Sequence, residues 1–121
     1  MKFDFDNVRP IYLQLVEQLE RYIVSGNLKP GDKLPSVREL AISSKTNPNT
    51  VQKALTELEN LGLIYTERTN GKYVSTDETS IQKHGEKYAK VLTEKYLDDM
   101  TKLGFTIEQA KDYLNKFGGI K

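Results

Sequence analysis

Apolar residues recur at three- and four-residue spacing in five stretches of the chain, and between residues 63 and 75 an extended pattern replaces that spacing. In the first stretch, residues 10 to 25, Ile11, Tyr12, Leu15, Val16, Leu19, Tyr22 and Ile23 form a wide stripe, with Gln14, Glu17, Gln18 and Arg21 outside it. This predicts an amphipathic helix opening near Pro10 and stopping at Gly26, with the tyrosine rings in the core and their hydroxyls at its edge. The connector NLKPGDKLPS turns at Pro30-Gly31, and its Leu34 is placed to plug between the first and second helices. Ser36 followed by Glu39 fits a capping box, so a second helix is expected from about residue 37 to 43, its inner side Val37, Leu40 and Ala41. The polar SKTNPN ends it. Asn47 and Pro48 read as N-cap and first position of a third helix that runs to Gly62. At about 100° per residue, Val51, Ala54, Leu55, Leu58 and Leu61 gather on one face of it.

Residues 63–66 are β-branched and aromatic, Asn70-Gly71 is a two-residue hairpin signal, and residues 73–75 resume the extended pattern. Further on, Ile81, Tyr88, Val91, Leu92, Tyr96, Met100 and Leu103 share one broad helical face that ends at Gly104. Thr106 with Gln109 fits a second capping box, and Phe105 is placed to staple onto Ala110. Ile107, Ala110, Leu114 and Phe117 then give a short helix ending at Gly118-Gly119. The expected fold is mainly α with a small β wing: an N-terminal winged helix-turn-helix over residues 1–76, followed by a two-helix C-terminal dimerisation segment over 77–121.

A length of 121 residues suits one ordinary domain, or a small one with an appendage. With no cysteine, disulfides, thiolate metal sites and cysteine nucleophiles are excluded. No apolar run nears the ~18 residues of a membrane span, and the opening MKFDFDNVRP is too acidic and too poor in apolar residues for a signal peptide, so a cytoplasmic location is expected. The only histidine, His84, has Glu86 nearby but no convergent ligand set, so neither a metal nor a cofactor is expected. One histidine and no cysteine also leave no catalytic constellation to assemble, which argues against an enzyme. The formal net charge of +1 is nearly neutral, but Lys29, Lys33, Arg38, Lys45 and Lys53 face only Asp32 and Glu39 between residues 29 and 55. Residues 77–121 balance eight bases with eight acids.

That local excess coincides with the helix pair. On the third helix Asn49, Gln52, Lys53 and Thr56 lie opposite the apolar face, with Thr50 near its start. Such side chains suit base edges and phosphates, and two short helices joined by a tight turn match a helix-turn-helix entering a major groove. Two ordinary packed helices are the plainer alternative. Arg68 and Lys72 flank the hairpin turn beside Gly71, as cations on a wing along the adjacent minor groove would. A winged helix can also serve as a protein-protein interaction module without operator binding; that would favour an acidic or apolar front on residues 47–56.

Residues 26–41 read G-x-L-x-P-G-x-x-L-P-S-x-R-x-L-A, residues 50–58 T-V-x-x-A-L-x-x-L, residues 62–64 GLI and residues 71–74 G-x-Y-V. Over residues 9 to 76 this combination resembles the GntR family of transcriptional regulators. The wing reads T-N-G-K-Y-V where the family pattern is G-x-G-T-F-V, so Lys72 stands in the place of a threonine. The resemblance implies double-stranded DNA as partner, with contacts from Ser36 and Arg38, Lys45 in the turn, Asn47, Asn49, Thr50, Gln52 and Lys53 on the recognition helix, and Arg68, Gly71 and Lys72 on the wing. The tail is too short for the ligand-binding domains that most family members append and is similar to the short YtrA-like subgroup. Two amphipathic helices with nothing else to cover them, together with that likeness, point to a homodimer held through Tyr88, Val91, Leu92, Tyr96, Met100, Leu103, Leu114 and Phe117; a monomer with the tail packed back on its own winged helix is the alternative. A two-fold dimer would repress from an inverted-repeat operator with half-sites ~34 Å or a related spacing apart. Tyr88, Tyr96 and Tyr113 are open to two uses, interface core or the lining of a small effector pocket.

Overall fold

A computed structural model describes residues 1–118, in the order α1 (Ile11–Val24), α2 (Val37–Ser44), α3 (Pro48–Asn60), β1 (Ile64–Glu67), β2 (Gly71–Val74), α4 (Glu78–Lys102) and α5 (Ile107–Gly118). Gly119, expected to help end the last helix, lies outside the described residues. The chain forms two compact units, Met1–Gly85 and a second from Glu86 onward.

In the first unit, Leu15, Val16, Leu19 and Ile23 of α1, Leu40 and Ala41 of α2 and Val51, Ala54, Leu55 and Leu58 of α3 form one core, joined by Leu34, Leu63, Ile64, Val74 and Ile81. Local signals set the helix starts. Ser36 Oγ accepts from the Glu39 N–H at 3.1 Å while Glu39 Oε1 accepts from the Ser36 N–H at 3.0 Å, so two orphan donors of α2 are satisfied. Asn47 Oδ1 accepts from the Asn49 N–H at 2.7 Å, and Pro48 opens α3 with no N–H to satisfy. The start of α4 is pinned where His84 Nε2–H meets the Leu61 carbonyl at 3.1 Å.

The hairpin differs from the two-residue turn expected at Asn70-Gly71. Glu67 pairs with Gly71, so Arg68, Thr69 and Asn70 form a three-residue turn and Gly71, at φ +104°, opens β2. The glycine's left-handed backbone is used to enter the strand, not to make the turn. Beyond β2 a third strand is sketched by the connector, since Lys33 bridges Tyr73, the Leu34 N–H donates to Lys72 O at 2.8 Å and the Val74 N–H to Asp32 O at 2.8 Å.

Gln14, expected on the outer side of α1, is instead buried at 2% exposure. Residues 2 to 6 run extended and antiparallel to α1, bound to side chains that act as a backbone would. Tyr22 Oη accepts from Lys2 N–H and donates to Lys2 O, Gln18 does the same with Asp4, and Gln14 with Asp6 at 2.9 and 3.1 Å. Two extended residues span about 6.6 Å and four helical ones about 6.0 Å, close enough to hold register over these rungs. Between these rungs Phe3 and Phe5 pack on the core, Phe3 meeting the Tyr22 ring edge-on at 5.9 Å.

In the second unit, α5 packs on the later turns of α4, with Ala110 buried and Tyr96 Oη donating to the Ala110 carbonyl at 2.7 Å. Thr106 and Gln109 form the expected reciprocal cap. The Phe105 ring packs edge-on against Tyr113 at 5.4 Å, and Tyr113 stacks on Phe117 at 5.6 Å. Ion pairs at four-residue spacing, Lys95–Asp99 and Lys102–Asp98, both 2.9 Å, line solvated parts of α4.

Two predictions follow from the arm and from the close approach of α1 to α4. Gln14→Ala removes bonds to Asp6 N, Asp6 O and Arg9 O, and urea titration should show a loss of about 2–3 kcal/mol, against about 1 for Gln18→Ala. A Cβ on Gly85 would stand 2.9 Å from Val24 Cγ1. Gly85→Ala should therefore destabilise by about 1 kcal/mol despite the better helix former, and should become stabilising in a Val24→Ala background.

Candidate nucleic-acid interface

The candidate recognition surface rests on α3, whose buried face of Val51, Ala54, Leu55 and Leu58 turns Asn49, Gln52, Lys53 and Thr56 outward, all exposed. These four fall within an arc of about 100°, narrow enough to enter one groove together. Thr50, at about 100° from Asn49, is half-buried at the edge of this front. Asn47 is exposed, with its carbonyl oxygen used by the cap and its amide left to donate.

The cations divide by their engagements. Arg38, Lys45 and Arg68 are exposed and form no ion pair among the described residues. Lys45 closes α2 in a left-handed conformation, φ 55°, with its N–H directed to the Ala41 and Ile42 carbonyls. That conformation costs a residue with a Cβ about 1–2 kcal/mol, so the tight turn is held against strain, and it projects the ammonium outward. Lys53 lies over the Tyr12 ring of α1, 3.9 Å from its centroid. Lys72 is engaged most fully: its ammonium donates to Glu59 Oε1 at 3.0 Å and to Thr66 Oγ1 at 2.8 Å.

The wing and the start of α2 face each other across an open groove of 620 Å³, lined by Lys33, Ser36, Glu39, Asn70, Gly71 and Lys72 among others. This brings the expected contacts Ser36, Gly71 and Lys72 to one place. Ser36 Oγ accepts from the Glu39 N–H and its hydroxyl faces the Glu39 carboxylate, so the side chain is engaged in the cap. Glu39, at the same helix end, is held below the usual carboxylate range by the Ser36 N–H and then by the Ser36 hydroxyl, so it stays charged beside the groove. Lys33 is a lining cation absent from the expected set. Its signal in the sequence is its place two residues after the Pro30-Gly31 turn, where the connector meets β2.

His84 is spent on the Leu61 carbonyl, and no group of three or more metal-ligating side chains gathers among the described residues. No helix among the described residues is long and apolar enough to cross a membrane.

The tail residues expected at a dimer contact fall into two sets. Tyr96, Met100, Leu114 and Phe117 line an apolar groove between α4 and α5, with Tyr113. Leu92 at 64%, Leu103 at 73% and Phe117 at 64% exposure leave their side chains largely uncovered, as is Val91, while Tyr88 is half-buried.

Comparison with known proteins agrees with this architecture. Residues 11–74 match the family model described as bacterial regulatory proteins, gntR family. The chain is 37% identical over 117 residues, 97% of each protein, to the uncharacterized HTH-type transcriptional regulator YhcF of Bacillus subtilis. It is 54% identical over 66 residues to the HTH-type transcriptional repressor YtrA of Bacillus subtilis, covering 54% of this chain and 51% of that protein. Among solved structures, a GntR family transcriptional regulator from Listeria monocytogenes superposes with a TM-score of 0.88 at 43% identity, covering 93% of this chain and 98% of that one. A capped helix pair with a polar front, the paired wing and these matches have one reading: the chain belongs to the GntR family of bacterial DNA-binding transcriptional regulators.

Proposed function

We propose that this regulator is a repressor that occupies an inverted-repeat operator as a homodimer, each copy presenting α3 to a major groove and the wing to the neighbouring minor groove. The observation that carries the DNA-facing part is the polar front of Asn49, Gln52, Lys53 and Thr56 on a helix whose other face is wholly in the core. Arg38 supplies a forked guanidinium for phosphate or guanine, and Asn49 and Gln52 have the paired donor and acceptor that adenine requires. The repressor of Bacillus subtilis named above supports repression as the sign. Self-association is supported by the apolar side chains that the second unit leaves exposed, Val91, Leu92, Leu103, Ile107, Leu114 and Phe117. Monomers rarely leave so many large apolar side chains of one short segment uncovered, and a two-fold pairing of identical faces covers both copies at once.

Fluorescence anisotropy against DNA from upstream of the protein's own gene, at two salt concentrations and with sedimentation on the same sample, tests the whole reading. Saturable, sequence-dependent binding by a dimer, weakening steeply with salt, is expected. Binding that is weak and alike for all fragments would count against this operator. Arg38→Ala should lower operator affinity by about 1–3 kcal/mol, and no change in affinity or salt slope would remove Arg38 from the interface. Leu92→Lys and Phe117→Lys should each yield a monomer with the first unit still folded; a variant that sediments as a dimer at micromolar concentration would remove that face from the contact.

A further inference from the structure

Glu59 at the end of α3, Thr66 on β1 and Lys72 on β2 close a ring of three hydrogen bonds. Thr66 Oγ1 donates to Glu59 Oε1 at 2.6 Å, and Lys72 donates to both, at 3.0 and 2.8 Å. The Lys72 side chain is only 20% exposed, in contrast to the exposed Arg68 at the turn. Two of the three ammonium protons are committed within the protein, which fixes the side chain and leaves one proton for any outside acceptor. The Thr66 hydroxyl, and after it Lys72, hold the Glu59 carboxyl below its ordinary range, so the carboxylate stays ionised at neutral pH. A threonine, the residue of the family wing pattern at this place, has no ammonium to offer Glu59. The ring ties both strands to the recognition helix at a hairpin whose ladder has four paired positions and one bridge to the connector.

We propose that Lys72 and Glu59 are positioning residues for DNA binding: they brace the wing against the end of the recognition helix and so fix where Arg68 meets the DNA, and Lys72 itself touches no phosphate. The role of Arg68 rests on the operator-binding reading above; the brace does not.

Amide hydrogen exchange on the free protein and operator titrations at two salt concentrations test it with Glu59→Ala, Glu59→Gln and Lys72→Met. In the free protein, Glu59→Ala and Lys72→Met should each speed exchange of the β1 and β2 amides about threefold while α1 and α3 core amides are unchanged. On operator DNA both should weaken binding about threefold with the salt slope unchanged. Glu59→Gln, which still accepts hydrogen bonds, should fall between them and the unaltered protein. Arg68→Ala should cost less in the Glu59→Ala background than alone. Unchanged wing exchange would overturn the brace. A Lys72→Met slope flatter by about one unit would place Lys72 on a phosphate, and tighter binding by Glu59→Ala would make Glu59 a charge that masks Lys72; either overturns the proposal. Should the unaltered protein bind no operator, the DNA reading fails, and the exchange rates still decide the brace.

Discussion

The geometry of the DNA-facing surface depends on one short backbone pairing, that of residues 31–34 with β2. A two-stranded hairpin of this length is marginal alone. Here the Gly31 N–H donates to Val74 O, Val74 N–H to Asp32 O and Leu34 N–H to Lys72 O, which gives β2 a second neighbour. Leu34 is buried in the core by the same stroke, and two residues later Ser36 caps α2. One run of six residues thereby sets both the strand that leads away from the turn and the helix that precedes the recognition helix.

Behind that surface, α1 serves as a platform with two working faces. Leu15, Leu19 and Ile23 pack into the core shared with α3, while Gln14, Gln18 and Tyr22 hold the N-terminal arm. A helix as short as α3 has little stability alone, so its order comes from this packing. Tyr12 carries the support through to the front by placing its ring under the Lys53 ammonium. Cation–π contact at an exposed site is worth about 0.5–1 kcal/mol, enough to bias one long side chain without locking it.

What could be read from the sequence is what local chemistry decides. Ser36 with Glu39, Asn47 with Pro48 and Thr106 with Gln109 announce their helix starts because each cap is completed within three residues. The apolar face of α3 is equally legible from its period. Gln14 was not, because its partner is an extended arm without hydrophobic periodicity, and a glutamine on a helix gives no local sign of being buried. The wing turn is one residue longer than its composition suggests, since Asn70-Gly71 has the composition of a two-residue turn, while the register that decides the matter lies in the pairing of Glu67 with Gly71. The engagement of Lys72 was hidden for a related reason: Glu59 is thirteen residues away, and only the folded hairpin brings the two together.

The division of α3 into two faces has a consequence for how such regulators diversify. Val51, Ala54, Leu55 and Leu58 hold the fold, whereas Asn49, Gln52 and Thr56 make no side-chain bond to another element among the described residues. Substitutions at these exposed positions cost little stability, commonly within about 0.5 kcal/mol. The exposed front can therefore vary almost independently of the fold. A duplicated copy of the gene could change several of these side chains without passing through an unfolded intermediate sequence.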